Sequence, residues 1–209
     1  VYASRRAVVH MKFCNISGAN QNALVIRRSG VVAEGCNFDN AGDTAIIVER
    51  TSQFSAYSRD ATRVSISNAG NDGVSVKDGS QVSLSGADMN DATRDAIRID
   101  NASNAYINDV QAVGNGGSSR YGVNVRSGCT GSVKDSTFTS HTSDIELNEG
   151  GFLTVANTTT GAGVQNFVTL GKMDTEEISD VTTRALFADG AYSTFTHTGD
   201  TTTQVMGTV

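Results

Sequence analysis

One short phrase recurs along the chain and limits what it can fold into. A small residue is followed by an apolar residue, then by any residue, then by a second apolar residue. We call the first apolar residue of each copy the anchor, and the six anchors are Leu24, Ile46, Val74, Ile97, Val123 and Ile145. Successive anchors lie 22, 28, 23, 26 and 22 residues apart, and only the sixth copy, with Asp144, lacks the small residue. A repeat of this length indicates a solenoid with one structural unit per repeat.

The spacing within each repeat indicates strands. Apolar residues alternate with a period of two, which is the period of a β-strand. Gly-, Asn- and Asp-rich turns separate these runs, at residues 40–43, 68–71 and 114–117. A β-sandwich would not explain the repeated phrase, and the fixed Leu/Asn frame of a leucine-rich repeat is missing. We therefore predict an all-β fold, a single-stranded parallel β-helix of about six to seven coils.

The third residue after each anchor forms a column of alternating charge. The column consists of Arg27, Glu49, Lys77, Asp100, Arg126 and Asn148. Opposite charges on neighbouring strands attract, so this order predicts an ionic ladder on the surface that helps to fix the register of the coils.

The three cysteines do not suggest a disulfide framework. Cys14 and Cys36 occupy equivalent positions 22 residues apart, and Cys129 stands alone. An odd, small number of cysteines favours buried free thiols that pack as small apolar groups. The pairing of the first two also predicts that the coils begin before Ala23, near Val9 and Met11.

The phrase stops near Asn157, and the composition then changes. Residues 158–209 contain 14 threonines and no further anchor. The terminal coil of a solenoid needs a cover. We predict a β-helix over residues 1–157 and a Thr-rich β cap or oligomerisation segment over residues 158–209, with a short helix within residues 174–188.

The six phrases, the Asn/Gly turns and the Thr-rich end resemble bacteriophage tailspikes and tail fibres built on the pectate-lyase-like right-handed β-helix. The resemblance implies right-handed coils, a homotrimer with a C-terminal trimerising segment, and location in the virion. It also implies contact with other virion tail proteins and binding to a host cell-surface polysaccharide. Many members of that family cleave such glycans with Asp or Glu residues.

Several partners and cofactors are not expected. The net charge is −6 and no basic cluster appears in the sequence, which argues against nucleic acid. No apolar run approaches the roughly 18 residues that a membrane-spanning helix needs, so membrane insertion is not expected. The sequence contains no cofactor motif. His10, His141 and His197 lack partners at metal-binding spacing, so we predict no metal, and we expect His141 to lie in an exposed turn.

Four aspartates are candidate catalytic residues. Asp72 and Asp95 both stand two residues before an anchor, so stacking would bring their carboxyl groups to about 5 Å, the separation found in retaining glycosidases. Asp88 and Asp91 are expected in the turn just before. Aspartate is also a common turn former. The sequence allows both interpretations and leaves open whether the chain is an enzyme.

Other residues are candidates for binding. Arg94, Arg98, Tyr121 and Asn124 lie near the acidic positions and are predicted to contact a glycan. Val25 and Ile47 follow their anchors, where later coils carry polar residues. They are predicted to form an apolar subunit interface, unless a loop at residues 53–60 covers them.

The sequence leads to three functional hypotheses. The first is a phage virion appendage, trimeric and displaying a glycan-binding face. The second is a polysaccharide depolymerase, either a glycoside hydrolase or a lyase, on the same β-helix. The third is a fragment of a bacterial surface adhesin.

Overall fold

The structure is a computed structural model that describes residues 1–116, 119–126, 128–148 and 151–160. For Asn148 and for five later strands it describes the backbone alone. Within these residues the chain forms strands and no helix. The first ten strands are β1 (Tyr2–Ser4), β2 (Val8–Lys12), β3 (Leu24–Arg27), β4 (Gly30–Glu34), β5 (Ile46–Glu49), β6 (Gln53–Tyr57), β7 (Val64–Ser65), β8 (Val74–Val76), β9 (Gln81–Asn90) and β10 (Asp95–Ile99).

The remaining strands follow the same pattern of short segments separated by turns. They are β11 (Asn104–Val113), β12 (Tyr121–Val125), β13 (Thr130–Lys134), β14 (Thr137–Thr139), β15 (Ser143–Asn148), β16 (Phe152–Thr160), β17 (Val164–Phe167), β18 (Lys172–Ser179), β19 (Arg184–Leu186), β20 (Thr194–Thr198) and β21 (Gln204–Met206).

Two long parallel sheets contain most of these strands. Sheet A has the order β1-β3-β5-β8-β10-β12-β15-β17. Sheet B has the order β2-β4-β6-β9-β11-β13-β16-β18-β20, with β7 beside β9 and with β14 beside β11 and β16. Each coil adds one strand to sheet A and then at least one to sheet B, which is the arrangement of a parallel β-solenoid with about seven turns. The predicted fold class is confirmed.

The anchors form one column in sheet A. Leu24 pairs with Ile46, Ile46 with Val74, and Val74 with Ile97. The column continues through Val123 to Ile145. All six side chains are buried, with no more than 1% of their surface exposed. Because side chains alternate across a strand, the residue between the two apolar residues of each phrase faces outward.

In two of the six phrases the small residue before the anchor is a glycine that the close approach of the next coil requires. A Cβ atom on Gly73 would lie 2.6 Å from the carbonyl oxygen of Ala96, and one on Gly122 would lie 2.5 Å from that of Asp144. Such contacts are too short for van der Waals packing. In these two copies the glycine therefore marks a place where the backbones of successive coils lie very close together.

A column of buried hydroxyl groups joins the coils at the turn from sheet A to sheet B. The backbone N–H of Ser29 donates to Ser52 Oγ at 3.3 Å, that of Ser52 to Ser80 Oγ at 3.1 Å, and that of Ser80 to Ser103 Oγ at 3.2 Å. The column ends at a cysteine, because the Ser103 N–H points at Cys129 Sγ at 3.4 Å. We call these residues the serine column.

The charge column forms, but it differs from the prediction in two respects. Glu49 bridges Arg27 and Lys77, with Lys77 Nζ 2.9 Å from Glu49 Oε2. Glu49 is buried, so this part of the ladder is not on the surface. The second difference is that Asp100 pairs with Arg98, which is not part of the predicted column, at 2.5 Å, and with Arg126 at 4.0 Å. Lys77, on the other side of Asp100 in the column, is paired to Glu49. The side chain of Asn148 lies outside the described residues.

A second ionic cluster surrounds Glu34 on sheet B. This buried carboxylate contacts His10 Nε2 at 2.5 Å, Lys12 Nζ at 3.8 Å, the Tyr57 hydroxyl at 3.2 Å and the guanidinium of Arg59. Burial alone would raise the pKa of Glu34, but the hydrogen bonds from Arg59 and His10 outweigh it and lower the pKa to about 2. Glu34 therefore stays ionised throughout the ordinary pH range.

The cysteines are free thiols, as predicted. Cys36 is buried, and the backbone N–H of Cys14 points at Cys36 Sγ at 3.4 Å. Burial raises the pKa of Cys36 and of Cys129, which keeps both thiols protonated. The first strand of sheet A already begins at Tyr2, so the coils do start before Ala23.

The sheets continue beyond the last phrase. β16 crosses residue 157, β17 extends sheet A through the pairing of Ile145 with Val164, and β18 and β20 extend sheet B. The predicted helix within residues 174–188 is wrong, because residues 172–179 form β18. The boundary at residue 157 and the capping role of residues 158–209 stay predictions.

Candidate functional site: a buried acid pair on sheet A

Two predicted site residues meet in the middle of sheet A. Asp72 and Asp95 are buried, with 3% and 0% of their surface exposed. The backbone N–H of Asp95 points at Asp72 Oδ1 at 3.4 Å, so the two residues lie in contact in successive coils. Two carboxyl groups that share a buried region cannot both ionise easily.

The acid pair has perturbed pKa values. Burial raises the pKa of Asp72, with Arg94 and Arg98 opposing it. For Asp95, burial and the neighbouring Asp72 raise the pKa to about 6. A carboxyl group with such a pKa exchanges its proton near neutral pH, which is what a general acid or base requires.

Asn124 connects the acid pair to the next coil. Its side-chain Nδ2 donates to Asp95 Oδ2 at 3.1 Å. The pairing of β10 with β12 joins Asp95 to Tyr121 and Ile97 to Val123 but skips Ala96 and Gly122. Asp95 Oδ1 and Asn124 Oδ1 are both buried without a hydrogen-bond partner, so each of these two bonded side chains keeps one unsatisfied acceptor oxygen.

Two arginines lie beside the pair and are partly exposed. Arg94 Nε is 3.9 Å from Asp72 Oδ1, and Arg94 Nη1 donates to Asn71 Oδ1 at 3.2 Å. Arg98 pairs with Asn124 in the sheet and forms an ion pair with Asp100. Both guanidinium groups lower the pKa of the two acids, but by less than burial raises it.

Tyr121 and Glu146 complete the site. Tyr121 pairs with Asp95 in the sheet, and its hydroxyl is hydrogen-bonded to Glu146. Burial and this bond raise the pKa of Tyr121 to about 12. The sequence interpretation missed Glu146 as a site residue. Its position one residue after an anchor, equivalent to Arg98 and Asn124, was the available signal.

The other two candidate acids lie elsewhere. Asp88 is in strand β9 of sheet B and not in a turn, which corrects the prediction. Its Oδ1 is 2.6 Å from Arg63 Nε, and Arg63 also pairs with Asp109. Asp91 is an exposed turn residue with a φ of 57°, consistent with the turn-forming interpretation.

His141 is buried, contrary to the expectation of an exposed turn residue. Its Nδ1 lies 3.0 Å from Asp144 Oδ1, and Asp144 is fully buried. Asp144 occupies the small-residue position of the sixth phrase, so the residue that departs from the pattern has a buried histidine as its partner.

Val25 and Ile47 do line up on the outer face of sheet A, and Tyr2 joins them in the first coil. Tyr2 is 56% exposed and the other two are partly exposed. The loop expected to cover them does not exist as such, because residues 53–57 form β6 in sheet B. We call Tyr2, Val25 and Ile47 the apolar ridge.

The described part of the chain contains no helix with the length and apolarity needed to cross a membrane. Comparisons with curated proteins and with solved structures gave no significant match. A family model described as "Right handed beta helix region" matches residues 1–167. The match spans the two sheets, the anchor column and the acid pair. The chain therefore belongs to the right-handed β-helix family.

Proposed function

We propose that the chain binds a polysaccharide through the outer face of sheet A around the acid pair. The observation that carries this proposal is that two hydrogen-bonded side chains each keep one buried, unsatisfied acceptor oxygen, Asp95 Oδ1 and Asn124 Oδ1. Buried polar atoms without partners are rare and costly in native proteins. Sugar hydroxyl groups are hydrogen-bond donors and would satisfy both oxygens.

The surroundings suit a carbohydrate. Arg94 and Arg98 offer partly exposed donors, and the ring of Tyr121 offers an apolar surface beside them. The two acceptor oxygens are shielded from solvent, so binding of a sugar there requires the side chains that cover them to move aside. Membership of the right-handed β-helix family supports a polysaccharide-binding or pectate-lyase-like role.

A glycan-binding measurement tests the proposal. Calorimetry against capsular and O-antigen polysaccharides is expected to find a ligand for the wild type, and Asn124→Leu is expected to weaken it at least about tenfold. Ser132→Ala on the outer face of sheet B is the matched control and should bind normally. Equal affinity of Asn124→Leu and the wild type would contradict the site.

A second candidate function is cleavage of the bound polysaccharide. It is favoured by the raised pKa values of both members of the acid pair, of which Asp95, at about 6, suits a general acid. Release of reducing ends or unsaturated products should stop in Asp95→Asn while glycan binding and folding persist. Binding of a polysaccharide without any cleavage would leave the chain a binding protein.

The assignment to a phage virion appendage is our more specific proposal, and the resemblance of the repeats to tailspikes supports it. The apolar ridge suits contacts between β-helices packed side by side. Light scattering should then give three chains of 21.8 kDa each, about 65 kDa, and Val25→Glu with Ile47→Glu should yield monomers. A monomeric wild type would favour the adhesin fragment instead.

A further inference from the structure

The turn from sheet A to sheet B in the first three coils carries four arginines. They are Arg5, Arg6, Arg28 and Arg50, which we call the arginine turn. In the sequence they are spread over 46 residues, and no basic cluster is visible there. The solenoid brings them to equivalent turns, since Arg5, Arg28 and Arg50 directly follow three residues that are paired in sheet A, namely Ser4, Arg27 and Glu49. The backbone N–H of Arg6 also donates to the carbonyl oxygen of Arg28 at 2.8 Å. All four side chains are exposed.

These arginines differ from most others in the chain. Six arginines have a carboxylate partner: Arg27, Arg59, Arg63, Arg94, Arg98 and Arg126. None of the four in the arginine turn forms an ion pair with any residue that the structure describes. The protein has a net charge of −6, so an uncompensated group of four positive charges is a local exception.

The backbone of the arginine turn is of a kind that arginine does not favour. The φ angles are 61° at Arg5, 64° at Arg6, 50° at Arg28 and 60° at Arg50. This left-handed region suits Gly, Asn and Asp better. At the same turn the next two coils carry Asp78-Gly79 and Asn101-Ala102, so three of these four left-handed residues follow that preference. The arginines are therefore not explained by the geometry of the turn.

The arginine turn also has room for a ligand. Arg5, Arg6, Arg28 and Thr51 line an open depression of about 660 Å³. A smaller depression continues toward sheet B and is lined by residues that include Val8, Ser29 and Gln53. Successive coils lie about 4.8 Å apart, so the guanidinium groups offer a repeated row of donors to a linear ligand.

We propose that the arginine turn binds the anionic groups of an acidic polysaccharide. Carboxylate and sulfate groups both match the planar fork of guanidinium donors. A nucleic acid is the alternative polyanion, and the polysaccharide is favoured over it because it is the ligand of the proposed function. The site is separate from the acid pair on sheet A, and only the choice of a polysaccharide as the ligand rests on the proposed function.

The test measures binding at low and at physiological salt with four probes: alginate for carboxylate, dextran sulfate for sulfate, dextran as the neutral polymer, and single-stranded DNA for phosphate. The wild type should bind alginate or dextran sulfate, more weakly as salt rises, and should not bind dextran through this site. Arg28→Glu should weaken that binding about tenfold or more. Lys134→Glu makes the same charge change on an exposed side chain of sheet B and should weaken it less than about twofold.

Each contrary result has a definite meaning. Equal losses in the two variants, or no binding of either acidic polysaccharide, would overturn the arginine turn as a site. Binding of DNA alone would replace the polysaccharide by nucleic acid. A second variant, Arg6→Gln, repeats the test if Arg28→Glu unfolds. A neutral glycan that depends on Asn124 and ignores Arg28→Glu would support the proposed function independently of this inference.

Discussion

The side-chain amide of Asn124 donates a 3.1 Å hydrogen bond to Asp95 Oδ2 across two neighbouring coils. This bond favours the ionised form of Asp95, yet burial and Asp72 act more strongly in the opposite direction. The acid pair therefore represents a cost to folding at neutral pH. Buried groups held in an unfavourable state are a frequent mark of functional sites.

Asp95→Asn should change how stability depends on pH. Native Asp95 keeps its proton to about pH 6, whereas the unfolded chain loses it near 3.8, so the native state binds more protons between these values. Stability then falls as pH rises through that window. Between pH 4 and pH 7 the variant should gain on the order of 1–3 kcal/mol relative to the wild type. Urea unfolding measured at both pH values checks this, and parallel pH curves for the two proteins would contradict it.

Glu34→Gln should act at the other end of the pH scale. Hydrogen bonds from Arg59 and His10 keep the native pKa of Glu34 near 2, below the ordinary 4.5. The unfolded state therefore binds more protons between these values, and the stabilisation is lost as pH falls from about 4.5 to 2. The variant should be less stable than the wild type at pH 6, and the difference should shrink toward pH 2. A constant difference across the range would rule out this role for the charge.

Ser80→Ala should break the serine column at its centre. The Ser52 N–H would lose its acceptor in a buried position, at a cost of about 1–3 kcal/mol. Ser83→Ala, a partly exposed position on the outer face of sheet B, is the matched control and should change stability by less than about 0.5 kcal/mol. Denaturant unfolding of both variants measures the difference, and equal stabilities would show that the column contributes nothing.

Glu49→Gln should destabilise the protein more than removing an exposed charge. The buried carboxylate holds both Arg27 and Lys77, and hydrogen bonds to charged groups contribute about 1.5–3 kcal/mol. Asp43→Asn, in an exposed turn, is the control. If high salt or the substitution leaves thermal unfolding unchanged, the ladder serves register and not stability.

The architecture could be predicted because one phrase repeats and its columns obey simple rules. The register of all six anchors and the pairing of Arg27 with Glu49 came from spacing alone. The end of the chain was harder, because Val164 continues the column with Asn166 in place of the second apolar residue. A pattern defined by apolar residues does not detect a polar substitute.

The site could be predicted only in part, for a geometric reason. Columns place equivalent residues together, so Asp72 with Asp95 and Arg98 with Asn124 followed from the repeat. Asp88 lay only three residues from Asp91, but the long strand β9 carries it onto sheet B. Likewise Arg5, Arg28 and Arg50 look unrelated in the sequence until the turns are stacked.

The serine column has a consequence for how the molecule comes apart. The hydroxyl groups of Ser52, Ser80 and Ser103 each accept from the coil before, so a coil in the middle is bound to two neighbours while an outer coil has only one. Opening should then proceed by fraying inward from an end, coil by coil. Amide hydrogen exchange should be slowest at Ser80 and its neighbours, where the acid pair also lies, so the part of the solenoid with the costliest residues is the last to open.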